Sequence, residues 1–177
     1  MADLTRTLAR LRVPLGFTCA LAIPFLVTPT PRSVMIGGVV ALSGEGLRIW
    51  AAGHLNKSRE VTSSGPYRWF AHPLYVGSSV MGVGLAIASA SVWVAVLVAA
   101  YLAITITAAI RSEEAFLRKT FGAAYDEYRR GSRDTAGATR RFSLAQALVN
   151  REYRALVGVF LALLLLALKA AYDAGLL

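Results

Sequence analysis

Two apolar runs, residues 73–89 and 92–110, are joined only by Ser89-Ala90-Ser91. Each approaches the ~20 residues that a helix needs to cross a bilayer. A link this short admits only a tight antiparallel hairpin. Three further runs, about 13–28, 34–53 and 153–172, are also long enough to span. The whole chain is 56% hydrophobic with mean hydropathy +0.54, too apolar for an ordinary soluble domain of 177 residues. These features predict an all-α integral membrane bundle. It would have five transmembrane helices and form one domain over residues 1–177. The run 73–89 holds Gly77, Ser78, Ser79, Gly82 and Gly84, small residues that let helix backbones approach closely in lipid.

The basic excess, a net charge of +9, reads as topology rather than nucleic-acid binding. Sixteen of the 19 Lys and Arg fall in three segments: the N-terminus, the loop between spans two and three, and residues 111–154. Five spans put all three segments on one side. The positive-inside rule makes that side cytoplasmic, with the N-terminus inside and the C-terminus outside, as in a bacterial inner membrane. Contact with anionic headgroups is a weaker reading of the same charges. The first apolar run follows Arg6, Arg10 and Arg12, as a signal peptide would, but no small-x-small cleavage site follows. It is read as a retained span, kinked by Pro14 and Pro24. The single Cys19 removes disulfides from consideration.

Residues 112–130 are expected to form helical structure at the cytoplasmic interface. Leu117, Phe121, Ala124 and Tyr128 share one apolar face, and Gly122 breaks the run. A polar loop over 131–142 follows. Ser143 with Gln146 then has the form of a capping box opening a short helix to about Val149.

Several groups can carry chemistry. Glu45 and Arg48 lie three apart inside the second span. Charges at that depth are either a locked ion pair or part of a site. His72 precedes Pro73, which suits the first turn of a helix. Free N–H groups there favour an anion. Glu113 and Glu114 close the fourth span. They are either solvated and paired to Arg111 or Arg118, or available to a cation. No Gly-x-Gly-x-x-Gly turn or P-loop is present. His54 and His72 lie 18 apart with no Cys or carboxylate at ligand spacing, so no metal is expected.

Gly65-Pro66-Tyr67 and His72-Pro73-Leu74-Tyr75-Val76-Gly77 come first. The hairpin, Glu113-Glu114 and Phe121-Gly122-x-x-Tyr125-x-x-Tyr128 follow in order. Over about residues 44–130 the chain resembles the isoprenylcysteine carboxyl methyltransferase and phospholipid methyltransferase superfamily. Gly44-x-x-x-Arg48 is similar to a pattern of the same enzymes. One element departs: Ala71 stands where the family usually has Arg.

The resemblance implies methyl transfer from S-adenosylmethionine to a lipophilic acceptor at the cytoplasmic interface. The acceptor would be a prenylcysteine-like carboxylate, a lipid, a phenol or a thiol. Pro66, Tyr67, His72, Leu74, Tyr75, Gly77, Glu113, Glu114, Tyr125 and Tyr128 would hold the cofactor. Arg48 and Arg111 would be catalytic, and Glu45, Arg48, Arg68 and Arg111 would meet the acceptor. An NADPH-dependent membrane reductase and a non-catalytic membrane subunit are the alternatives.

Overall fold

The computed structural model describes residues 26–57, 59–132 and 138–176. The expected first span lies almost wholly outside the described residues. Within them every regular element is helical, so the all-α expectation holds.

Helix α1 runs over Pro31–His54. Thr30 caps it, its side chain accepting from the Ser33 amide at 3.1 Å, while the Ser33 hydroxyl answers the Thr30 amide at 2.9 Å. Pro31 takes the first helical position, where its missing N–H costs nothing. At the other end the Asn150 side-chain amide donates to the Ala52 and Leu55 carbonyls, at 2.8 and 2.9 Å. Those are acceptors that a helix C-terminus leaves without partners.

A 3₁₀ turn over Gly65–Arg68 leads to α2, Pro73–Ser89, which opens on Pro73 as expected. Ala90 adopts a left-handed conformation (φ 49°), and Ser91 caps α3, Val92–Phe121. The hairpin is therefore as tight as its three-residue link requires. After Gly122 come the short helices α4, Ala123–Arg129, and α5, Leu144–Val149, then α6, Tyr153–Asp173. Ser143 caps α5, accepting from the Gln146 amide at 3.2 Å.

Among the described residues three helices, α1, α3 and α6, are long and apolar enough to cross a membrane, and α2 is a shorter apolar helix of 17 residues. This is a membrane protein. Met35, Val39, Val92 and Leu165 are all two-thirds exposed or more, which suits lipid contact. The count of five spans rests partly on residues not described.

α1 and α2 are antiparallel and closely apposed. A Cβ at Gly84 would collide with the Ala41 backbone, and one at Gly44 would sit 2.5 Å from the Met81 nitrogen. Only hydrogen at those positions permits such an approach. The Ser89 end is tied by the Thr28 amide donating to the Ser89 carbonyl at 3.1 Å, and by the Ser33 hydroxyl donating to the Ala88 carbonyl at 3.1 Å. α6 packs against α1 near Gly38 and Leu163.

The helical structure expected over 112–130 is present and breaks at Gly122 as expected; its first part is the end of α3, which continues unbroken to Phe121. At 30 residues it is roughly 45 Å long and outruns the ~30 Å hydrocarbon core. The apolar face also changes register at Gly122. Tyr125 is buried beside Val61 and Tyr128, while Ala124 is exposed. The positive φ of Gly122 (50°) breaks the helical period between Leu117 and Tyr128.

Candidate functional site

The first turn of α2 and the C-terminal part of α3 bring together groups far apart in sequence. His72 caps α2 without using its side chain in the cap. Its imidazole instead turns to α3, where Nε2 lies 3.4 Å from Glu114 and Nδ1 3.7 Å from Glu113. The Tyr75 hydroxyl, one turn into α2, hydrogen-bonds Glu113. The Tyr75 ring centroid lies 5.8 Å from that of His72. Burial works against the imidazolium, but the two carboxylates outweigh it and raise the His72 pKa above its usual 6.5. On the far side, Arg129 of α4 reaches Glu114 at 3.3 Å.

α4 closes this region from the aqueous side. The Tyr128 hydroxyl donates to the Tyr67 carbonyl at 2.9 Å and reaches that of Phe70 at 3.4 Å, fastening α4 to the 3₁₀ turn. Tyr125 is 1% exposed, and its hydroxyl has no hydrogen-bond partner among the described residues. Burial first, then Glu114, pushes its pKa up to about 12, so it stays a neutral donor. The Tyr67 phenol is likewise buried and neutral, with Glu113, Tyr128, Glu152 and Tyr75 around it. A cluster with two carboxylates, one imidazole and one unspent phenol donor, Tyr125, suits a ligand bearing positive charge and hydroxyls.

Beside His72 a cleft of about 380 Å³ opens sideways between α2 and α3. Its walls include Trp69, Phe70, Ala71, Tyr75, Val76 and Ser79, with Ile106 and Ile110 opposite. The imidazole forms part of its wall.

Other expected site residues lie elsewhere. Arg48 is bound on the α1-facing side of α2, donating to the Ser78 hydroxyl and lying 3.5 Å from the Leu74 carbonyl. It pairs with Glu45 at 3.4 Å and Glu152 at 2.5 Å. The two networks differ in the helix they join to α2: Leu74 and Ser78 meet Arg48 of α1, whereas His72 meets Glu113 and Glu114 of α3. Gly77 also faces α1, where a Cβ would press on Arg48 and the Gly44 carbonyl. Pro66 is buried in the 3₁₀ turn. Leu74 contributes its carbonyl to Arg48. Arg68 and Arg111 are exposed, and neither lines the cleft. Arg118 pairs with Asp126 rather than with the Glu pair.

Sequence reasoning missed Glu152 and Arg129. No helical spacing relates Glu152 to Arg48 or Arg129 to Glu114; tertiary packing alone joins them. It also missed Trp69, Phe70 and Ser79 as cleft walls. Their adjacency to His72 and Tyr75 was the available signal.

The family model described as "Phospholipid methyltransferase" matches residues 34–124, just over half of the chain. That interval contains α1, the 3₁₀ turn, the α2–α3 hairpin and the Glu pair. The nickel-cobalt-cadmium resistance protein NccN of Alcaligenes xylosoxydans xylosoxydans is 37% identical over 98 residues. The aligned part is 54% of this chain and 44% of that relative, so the chain spans under half of the relative's length. No solved structure matches.

Proposed function

Because the chain belongs to the phospholipid methyltransferase family, we propose that it transfers a methyl group from S-adenosylmethionine to a lipophilic acceptor at the membrane interface. The observation that carries this reading is the His72–Glu113–Glu114 cluster at the end of a cleft open to lipid. A water-soluble cofactor and a membrane-soluble acceptor can meet only at such a boundary.

When bound, S-adenosylmethionine supplies a methyl group already activated on a positive sulfur. The chain contributes proximity and charge. Glu113 and Glu114 favour the cofactor's positive end. The free Tyr125 hydroxyl offers a donor to ribose or carboxylate oxygens. Tyr128 holds α4 over the site and limits water access. Tyr67 and Tyr75 order the carboxylates by crowding and hydrogen bonding. Arg48 and Glu45 hold α1, α2 and α6 in register, a positioning role instead of the catalytic one expected from sequence. The basic segments around the site support a cytoplasmic-face site with the N-terminus inside, the orientation that the positive-inside rule favours.

Isothermal titration of the purified protein tests the cofactor assignment. S-adenosylhomocysteine should bind and NADPH should not. Binding of NADPH alone would favour the reductase reading.

A further inference from the structure

Resting on the methyltransferase reading, we propose that the acceptor is an uncharged lipophilic phenol, seated in the cleft between α2 and α3 with its hydroxyl toward His72. The cleft walls are aromatic and aliphatic, and Ala71 contributes no charge. Among the wall residues only His72 can be cationic, and its charge is already met by two carboxylates. Arg129 is paired to Glu114, and Lys57 lies near Glu113; neither lines the cleft. A carboxylate or phosphate on the acceptor would leave water without a counter-charge and face Glu113 and Glu114. A phenol, neutral below its usual pKa of about 10, meets no such penalty. Its ring can lie against Trp69, Phe70 and Tyr75, and its alkyl tail against Val76, Ile106 and Ile110. The Ser79 hydroxyl is spent on the Tyr75 carbonyl at 3.0 Å, which leaves the wall dry.

The reaction balances as follows. A bond forms between the methyl carbon and the phenol oxygen. The carbon–sulfur bond breaks, its electron pair staying on sulfur, which becomes a neutral thioether. The phenol O–H also breaks, and its proton passes to the His72–Glu113–Glu114 cluster, where carboxylates outnumber the imidazolium.

The test uses the full chain in nanodiscs with labelled S-adenosylmethionine. It compares a para-alkylphenol with the para-alkylbenzoate of equal chain length. The phenol should be methylated at least about tenfold faster. A brominated para-alkylphenol should quench tryptophan emission, and Trp69→Phe should reduce the quenching, the remainder coming from Trp50, whose ring centroid lies 5.6 Å from that of Trp69. Ala71→Arg should shift preference toward the benzoate, because it places a positive charge in the cleft wall.

Equal or faster methylation of the benzoate by the natural protein would overturn the proposal. So would quenching by a brominated alkylbenzene as strong as that by the phenol, since the cleft would then hold any apolar chain. Binding of S-adenosylhomocysteine with neither phenol methylation nor quenching would remove the phenol and keep the methyltransferase reading. Failure to bind S-adenosylhomocysteine would remove both.

Discussion

Arg48 is the most informative residue to perturb, because one guanidinium answers two buried carboxylates. Glu45 is 1% exposed and Glu152 is 7% exposed. Arg48→Met keeps the aliphatic stem but strands both acids. Breaking a buried pair this way costs about 3–5 kcal/mol, chiefly because an uncompensated charge remains in low dielectric. Glu152→Gln removes the closer acid, 2.5 Å from the guanidinium, and leaves Glu45 as partner. The cost should be about 1.5–3 kcal/mol, the range for interactions with charged groups. Glu45→Gln should be neutral or stabilising. Its contact is longer, 3.4 Å, and neither of its oxygens has a well-formed hydrogen bond. Unfolding in mixed micelles, followed by far-ultraviolet circular dichroism, gives the three stabilities. S-adenosylhomocysteine titration of each folded variant should give the natural affinity, since the network faces α1 and α6. A Glu45→Gln cost equal to that of Arg48→Met would refute the reasoning. So would a loss of affinity in folded Glu45→Gln.

Glu113→Gln and Glu114→Gln should each weaken S-adenosylmethionine binding, by roughly ten- to a hundredfold where the carboxylate meets positive charge. The larger loss is expected at Glu113, which also holds Tyr75, and titration of both variants checks the order. His72 has a raised pKa in the folded protein. Its interaction with the Glu pair therefore stabilises fully below pH 6.5, the usual histidine value, and fades as pH rises through the elevated folded pKa. The stability difference between the natural protein and His72→Gln, measured across that interval, should shrink as pH increases. Gly84→Leu should cost about 3 kcal/mol or more, because its Cβ meets the Ala41 backbone. Gly46→Ala, with nothing within 4 Å of the new Cβ, should be neutral or stabilising by up to about 1 kcal/mol. Yield and thermal stability of the two variants decide this pair.

Much of the fold is legible in the sequence because lipid imposes simple rules. Apolar length marks the helices, and the short link at Ser89–Ser91 dictates the hairpin. Pro73 and Ser143 announce helix starts through geometry that needs no tertiary knowledge. The end of α3 was less legible. Hydropathy reports where the bilayer stops, whereas Glu113 to Lys119 are good helix formers that carry the helix on into water. The placement of Arg48 was beyond sequence reasoning. Pairing with Glu45 follows from a three-residue spacing, but Glu152 arrives 104 positions later, brought by α6. The meeting of His72 with the Glu pair followed from the hairpin's return to one side. The cleft beside it did not, since it depends on how far two helices stand apart.

That separation is controlled at Gly82. A Cβ there would press on Leu102 at 2.5 Å and on Val98 at 3.2 Å, so α2 and α3 interlock at this level. Ile106 and Ile110, which wall the cleft, lie one and two turns further along α3. A second cleft of about 410 Å³ lies between the same two helices on the Ser89 side, walled by Val83, Ile87, Val98 and Leu102. The Gly82–Leu102 contact thus stands between two openings of one helix pair. A bulkier residue at position 82 alters the aperture at His72 without touching any residue of the site, so aperture and chemistry are set by separate parts of one hairpin.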